Sequence, residues 1–207
     1  MSAETPRLNP LTPDQLDDAS RKLYDAVLAS PRAEGPGRGI ILREDGSLSG
    51  PFDAWLRSPA LGVHLERVGM AFRTDTVLAP AAREIATLVV ARAWGADFEW
   101  WVHGILARRE GVSENVIDAI GNGVRPDFDD PDFAAAHDVA IGLVHHRTVD
   151  REILDRAREA LGERALVEVV TLVGFYLMVS SVLVAFDPPA PSADLPVTGP
   201  ATSGDLP

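Results

Sequence analysis

Residues 84–103 read EIATLVVARAWGADFEWWVH, and this stretch decides how the chain is organised. Ile85, Ala86, Leu88, Val89, Val90 and Ala91 form an apolar run with the look of a buried helix. Gly95 interrupts it, and a second helix is expected from Asp97, whose carboxylate can cap the new N-terminus. Glu84 opens the apolar run. Glu99 and His103 are four apart and share one face of the second helix, beside Trp100 and Trp101. Two carboxylates and an imidazole among apolar side chains have two readings. Burial can tune them into a proton-transfer site, or they can be a satisfied polar contact that fixes helix packing.

The neighbouring segments carry helix signals in series. Thr12-Pro13-Asp14-Gln15 joins a capping threonine, a first-position proline and a capping-box glutamine, so a helix is expected from there to about Ser30. Residues 31–50 are glycine-rich, with an Asp45-Gly46 turn. They lack the spacing of a phosphate cradle and are expected to be a surface connection, with a lid or channel wall as the alternative. Ser58-Pro59 and Pro80 open two further helices. His64 lies on the first, where it reads as a surface histidine.

Shorter helices are expected over 113–121, from Pro131 to His146, and after Asp150, followed by a final helix over about 163–186. RPDFDDPD at 125–132 reads as a solvated capping turn, since the spacing of a calcium loop is missing. His145 and His146 are adjacent and point different ways, which suits a helix dipole better than a shared metal. No segment alternates as a strand does. The domain boundaries expected are an N-terminal tail 1–11, a helical domain 12–186 and a disordered tail 187–207.

Composition removes several functions. The net charge of −12 argues against nucleic acid and anionic membranes as partners. There is no cysteine, so thiolate nucleophiles, disulfides and thiolate metal sites are excluded. The N-terminus has no apolar signal region, and a cytoplasmic protein is expected. VVTLVGFYLMVSSVLVAF at 169–186 is uncharged and nearly long enough to span a bilayer. It has no flanking basic cluster, and a fully buried helix at a subunit interface is expected instead.

The pattern resembles the carboxymuconolactone decarboxylase family and its alkyl hydroperoxide reductase D-like branch. In that branch a Glu is followed by two Cys and a His at fixed spacing. Here Glu84, Ala96, Glu99 and His103 occupy those positions, so neither sulfur is present. Glu99-Trp100-Trp101-Val102-His103 is similar to the E-W-x-x-H segment of the decarboxylase-like branch. Gly50-Pro51-Phe52 through Trp55-Leu56 to Ser58-Pro59 also looks like the family. The resemblance implies an all-α, AhpD-like helical bundle and a cofactor-free, metal-free acid–base enzyme. Its substrate would be a small carboxylated lactone or related ring, decarboxylated or moved by proton transfer.

On that resemblance His103 is the general acid/base, Glu84 orients it, and Glu99 replaces the relay sulfur. Phe52, Trp55 and Trp100 are expected to wall the substrate pocket, although Phe52 and Trp55 read equally well as core anchors. Arg73 or Arg92 is a candidate for holding a substrate carboxylate. A homo-oligomer (dimer, trimer or hexamer) is implied. Peroxide or disulfide reduction is disfavoured by the missing sulfur. A metal-dependent hydrolase and a non-catalytic assembly protein are the remaining alternatives.

Overall fold

The computed structural model describes residues 7–34 and 37–188, and they form an all-α arrangement. Nine α-helices are present among the described residues: α1 Asp18–Leu28, α2 Arg38–Ile41, α3 Pro51–Trp55, α4 Pro59–Thr74, α5 Pro80–Trp94, α6 Asp97–Arg109, α7 Glu114–Gly121, α8 Pro131–Ile141 and α9 Arg151–Phe186. The only extended pairing among them is an isolated antiparallel bridge, Leu42 to Leu48, around the Asp45-Gly46 turn.

Helix α5 is the axis of the core. Every residue from Ala81 to Ala91 is buried, because α6, α8 and α9 pack around it. A helix apolar on all sides has to be enclosed in this way. Gly95 ends α5 in the left-handed region (φ 62°, ψ 33°), which lets α6 turn back alongside it. The expected break and restart are therefore present. The cap differs, however: Asp97 is already the first residue of α6, and the capping position is Ala96.

Two other boundaries differ from expectation. Thr12 and Gln15 do pair, with Gln15 Oε1 accepting from the Thr12 backbone N–H at 3.0 Å, but they close only a 3-10 turn over Pro13–Gln15. The chain then extends at Leu16, and Asp17 starts α1 by accepting from the Ser20 backbone N–H at 2.8 Å. The helix expected through His146 stops at Ile141 and opens into a π turn, Gly142–His146, that ends at Arg147 with φ 56°.

Helix α9 joins the two segments expected on either side of Gly162, which sits between them at φ 74°, ψ 166°. It is not fully buried. Its inner face carries Val169, Leu172, Val173, Tyr176, Val179, Ser180 and Leu183 into the core, while Val167, Val170 and Val184 on the outer face remain exposed. The expected N-terminal tail is partly tied down. Leu11 donates its N–H to Asp53 Oδ1 at 2.8 Å, and Arg7 reaches the Val184 carbonyl at 2.9 Å. Of the expected C-terminal tail, residues 189–207 lie outside the described residues.

Candidate active site

Helices α5 and α6 bring Glu84 and His103 together across their shared interface. Glu84 Oε2 and His103 Nδ1 are 2.6 Å apart, and the residues are 0% and 5% exposed. On its other oxygen, Oε1, Glu84 accepts from Arg83 Nε at 3.0 Å. Arg83 is itself buried, and its second contact is the Phe72 carbonyl at 3.2 Å.

These partners fix the charge state. Burial alone would push the Glu84 carboxyl up. The His103 imidazole, its hydrogen bond, and the guanidiniums of Arg73 and Arg83 outweigh burial and hold it at about 2. Burial pushes the His103 imidazole below its usual value, and Glu84 only partly offsets this. Both shifts contain the same Glu84–His103 attraction. The direction they jointly support near neutral pH is a carboxylate facing a neutral imidazole. In that state Nδ1 carries the proton and donates to Glu84, which leaves the Nε2 lone pair as a base. None of the described residues hydrogen-bonds Nε2.

Glu99 has the opposite environment. It is 2% exposed, and its Oε2 accepts from the Ser180 hydroxyl of α9. Its Oε1 is buried with no partner among the described residues. Burial raises its carboxyl to about 8, against the Ser180 hydrogen bond, which pulls the other way. Glu99 therefore rests protonated near neutral pH. A neutral His103 and a protonated Glu99, set by environments that push their pKa values in opposite senses, are the arrangement of a base and an acid.

Glu99 and His103 line one cavity of about 260 Å³, and Glu84 stands behind His103 without lining it. Phe52 and Trp55 wall it as well, meeting edge-on at 5.4 Å, so these residues serve as pocket wall and core anchor together. Tyr176 stands edge-on to the His103 ring at 4.8 Å, and burial raises its hydroxyl to about 12. The glycine-rich segment also contributes: Pro31, Arg32, Gly37, Ile40 and Ile41 close one side, so it is a channel wall rather than a plain connection. Trp100 is not among the residues lining this cavity and is buried in the core instead.

Of the two candidate arginines, Arg73 lines this cavity and Arg92 does not. Arg73 is half-buried and has no ion pair among the described residues. Arg32 stacks over Phe52 at 5.0 Å and faces Glu66 at 3.4 Å, leaving its Nη2 buried and unpaired. Arg92 bonds the Gly121 carbonyl at 2.6 Å and lines a separate cleft of about 530 Å³ with His137, Asp138 and His145. That cleft is larger, but its carboxylate, Asp138, is already engaged by Arg125 at 2.9 Å and His137 at 2.9 Å. His64 lies exposed on α4, as expected.

Sequence reasoning expected Glu84, Glu99 and His103 in one site; the structure pairs Glu84 with His103, and sets Glu99, bonded to Ser180, on the cavity that His103 also lines. Sequence reasoning missed Ser180, Tyr176, Arg83 and Arg32, which come from distant or neighbouring positions with no motif of their own. Among the described residues no group of three or more His, Asp or Glu side chains is placed to hold a metal ion. Neither the comparison with protein-family models nor the search of curated proteins finds a match to this chain.

Proposed function

We propose that the chain is an acid–base enzyme that decarboxylates, or moves a proton within, a small carboxylated ring compound such as a lactone. One observation carries this reading above the others. A neutral, Glu84-oriented His103 and a protonated Glu99 open on the same cavity, next to an arginine with no carboxylate partner. The order of Glu84, Glu99 and His103 in the sequence, similar to that of the carboxymuconolactone decarboxylases, supports the same class and an alkyl hydroperoxide reductase D-like bundle.

In this reading Arg73 holds the substrate carboxylate, because a cation without a partner in a half-buried site is only partly hydrated and gains by pairing. Phe52 and Trp55 hold the ring and exclude water, which strengthens every charge interaction inside. For proton transfer, His103 Nε2 takes the proton from the carbon next to the ring carbonyl while Glu99 gives its proton to the developing oxyanion. For decarboxylation the C–C bond to the carboxylate breaks and its electron pair passes into the ring carbonyl. Glu99, which rests protonated, then returns one proton to that carbon. Both routes use groups of the chain alone as acid and base, and no cofactor is invoked.

The test is a panel of small carboxylated lactones and β-keto acids, followed by NMR in heavy water. Deuterium should enter the substrate, with His103→Gln slowing that exchange at least about 100-fold, or CO2 should be released, with Glu99→Gln slowing that release by the same factor, the usual scale of one acid–base group. Arg73→Met should raise KM more than it lowers kcat. Binding of the same compounds with no turnover, unchanged in His103→Gln, would instead identify a non-catalytic binding protein.

A further inference from the structure

The outer face of α9 supports an inference independent of the chemistry in the cavity. Val167, Val170, Gly174, Leu177, Ser181 and Val184 recur at alternating steps of three and four along this helix. That is the spacing of one helical seam, and it continues for roughly 26 Å at 1.5 Å per residue. Every one of these positions is apolar or small. Val167 is 65%, Val170 37% and Val184 41% exposed, and Gly174 and Ser181 are exposed too. A small-residue seam lets a second backbone approach closely, and an exposed apolar seam of this length marks a contact surface.

We infer that this face pairs with the same face of a second copy of the chain, the two α9 helices running antiparallel about a twofold axis between residues 175 and 176. The register follows from the sequence. About that axis Val167 meets Val184 of the second copy, Val170 meets Ser181, and Gly174 meets Leu177, so each large side chain faces a small one or another valine. The ends match as well. Arg164 comes beside Asp187 of the second copy, and this occurs twice, as a twofold requires. Arg164 then lies near the negative C-terminal end of the partner helix. A parallel pairing would set Arg164 against Arg164 and Asp187 against Asp187.

Two other occupants fit less well. Residues 189–207 contain only Leu195, Val197 and Leu206 as large apolar side chains, too few to cover six seam positions. A bilayer would take the apolar stripe, but Arg164 and Glu168 at one end of it are paired with each other at 3.0 Å and with the Asp75 carbonyl and Thr76 of the α4–α5 connection, which holds the helix to the globule. The inner face of the same helix presents Tyr176 to His103 and Ser180 to Glu99, so pairing on the outer face would set two cavities back to back.

The absence of native cysteine makes a clean test possible. Full-length Val167→Cys and Val184→Cys variants are purified separately, then oxidised alone and as a mixture. The antiparallel register predicts covalent dimers in the mixture and little in either variant alone. Self-linking of each variant alone would mean a parallel or unrelated contact and would overturn the proposal. So would no linking in any sample together with a monomer mass by light scattering at tens of micromolar. Val170→Glu, whose folding is checked by circular dichroism, should shift the wild-type dimer to monomer. Co-sedimentation of the wild type with phosphatidylcholine vesicles, lost in Val170→Glu, would assign the face to a membrane. A chain ending at residue 188 should still dimerise. If dimers formed only after that truncation, the C-terminal segment would be the natural occupant.

Discussion

Glu84 Oε2 stands 2.6 Å from Nδ1 of His103, and Arg83 Nε stands 3.0 Å from the other carboxylate oxygen. The carboxylate thus bridges a buried cation and a buried imidazole, and its removal has two separable consequences. Glu84→Ala leaves the Arg83 guanidinium buried without its counter-charge. Breaking a buried pair from one side costs about 3–5 kcal/mol, so urea unfolding should show a loss of that size. Glu84→Gln keeps an acceptor for Nδ1–H but removes the charge that stabilises an imidazolium. It should fold, lose less stability than the alanine variant, and turn over substrate about 100-fold more slowly. A Gln variant with full activity would rule out the orienting role of Glu84.

The pH–rate profile should be bell-shaped, with a sign set by each group. His103 works as a base, so kcat/KM rises as pH passes upward through an imidazole value lying below the usual 6.5. Glu99 works as an acid, so kcat/KM falls as pH passes upward through about 8. Glu99→Gln should abolish the alkaline limb and leave the acid limb in place. If the alkaline limb survives that substitution, Glu99 is not the acid.

Ser180 tunes that limb. Its hydroxyl donates to Glu99 Oε2 and lowers the Glu99 carboxyl against the effect of burial. Removing the donor in Ser180→Ala should therefore move the alkaline limb to higher pH, above about 8. The associated stability loss should be about 1 kcal/mol, typical of one hydrogen bond. A purely structural serine would lower stability without moving the limb.

How much of this was legible in the sequence differs from residue to residue. The α5–Gly95–α6 turn was legible because its signals are local: an apolar run, a left-handed glycine and a four-residue spacing. The role of Ser180 was not, since the residue is 81 positions from Glu99 and lies in an apolar run that gives no hint which serine faces inward. Arg73 and Arg92 were indistinguishable by type, and only packing set one in the cavity and the other on the Gly121 carbonyl. Trp100 was misplaced because adjacent helical residues face different ways. Being next to Glu99 in sequence gave Trp100 no share of its face.

Stability against pH should separate the two buried carboxylates. The Glu99 carboxyl rises from 4.5 to about 8 on folding. Across that window the folded state holds a proton that the unfolded state has lost, so stability falls as pH rises from about 4.5 toward 8. Glu84 is held at about 2 from the same starting value of 4.5. Its contribution is present above 4.5 and is lost as pH falls through that value toward about 2. A tenfold change in a group's proton affinity on folding corresponds to about 1.4 kcal/mol. His103, pushed below its usual 6.5, loses its contribution as pH falls through 6.5 and so opposes the Glu99 slope below that value. Denaturant midpoints measured from pH 3 to 9 should therefore decline on the alkaline side between about 6.5 and 8 and on the acid side below 4.5. Glu99→Gln should flatten the alkaline decline while the acid decline persists. If both declines persist unchanged, the alkaline loss of stability originates in another group and Glu99 is ionised in the folded chain.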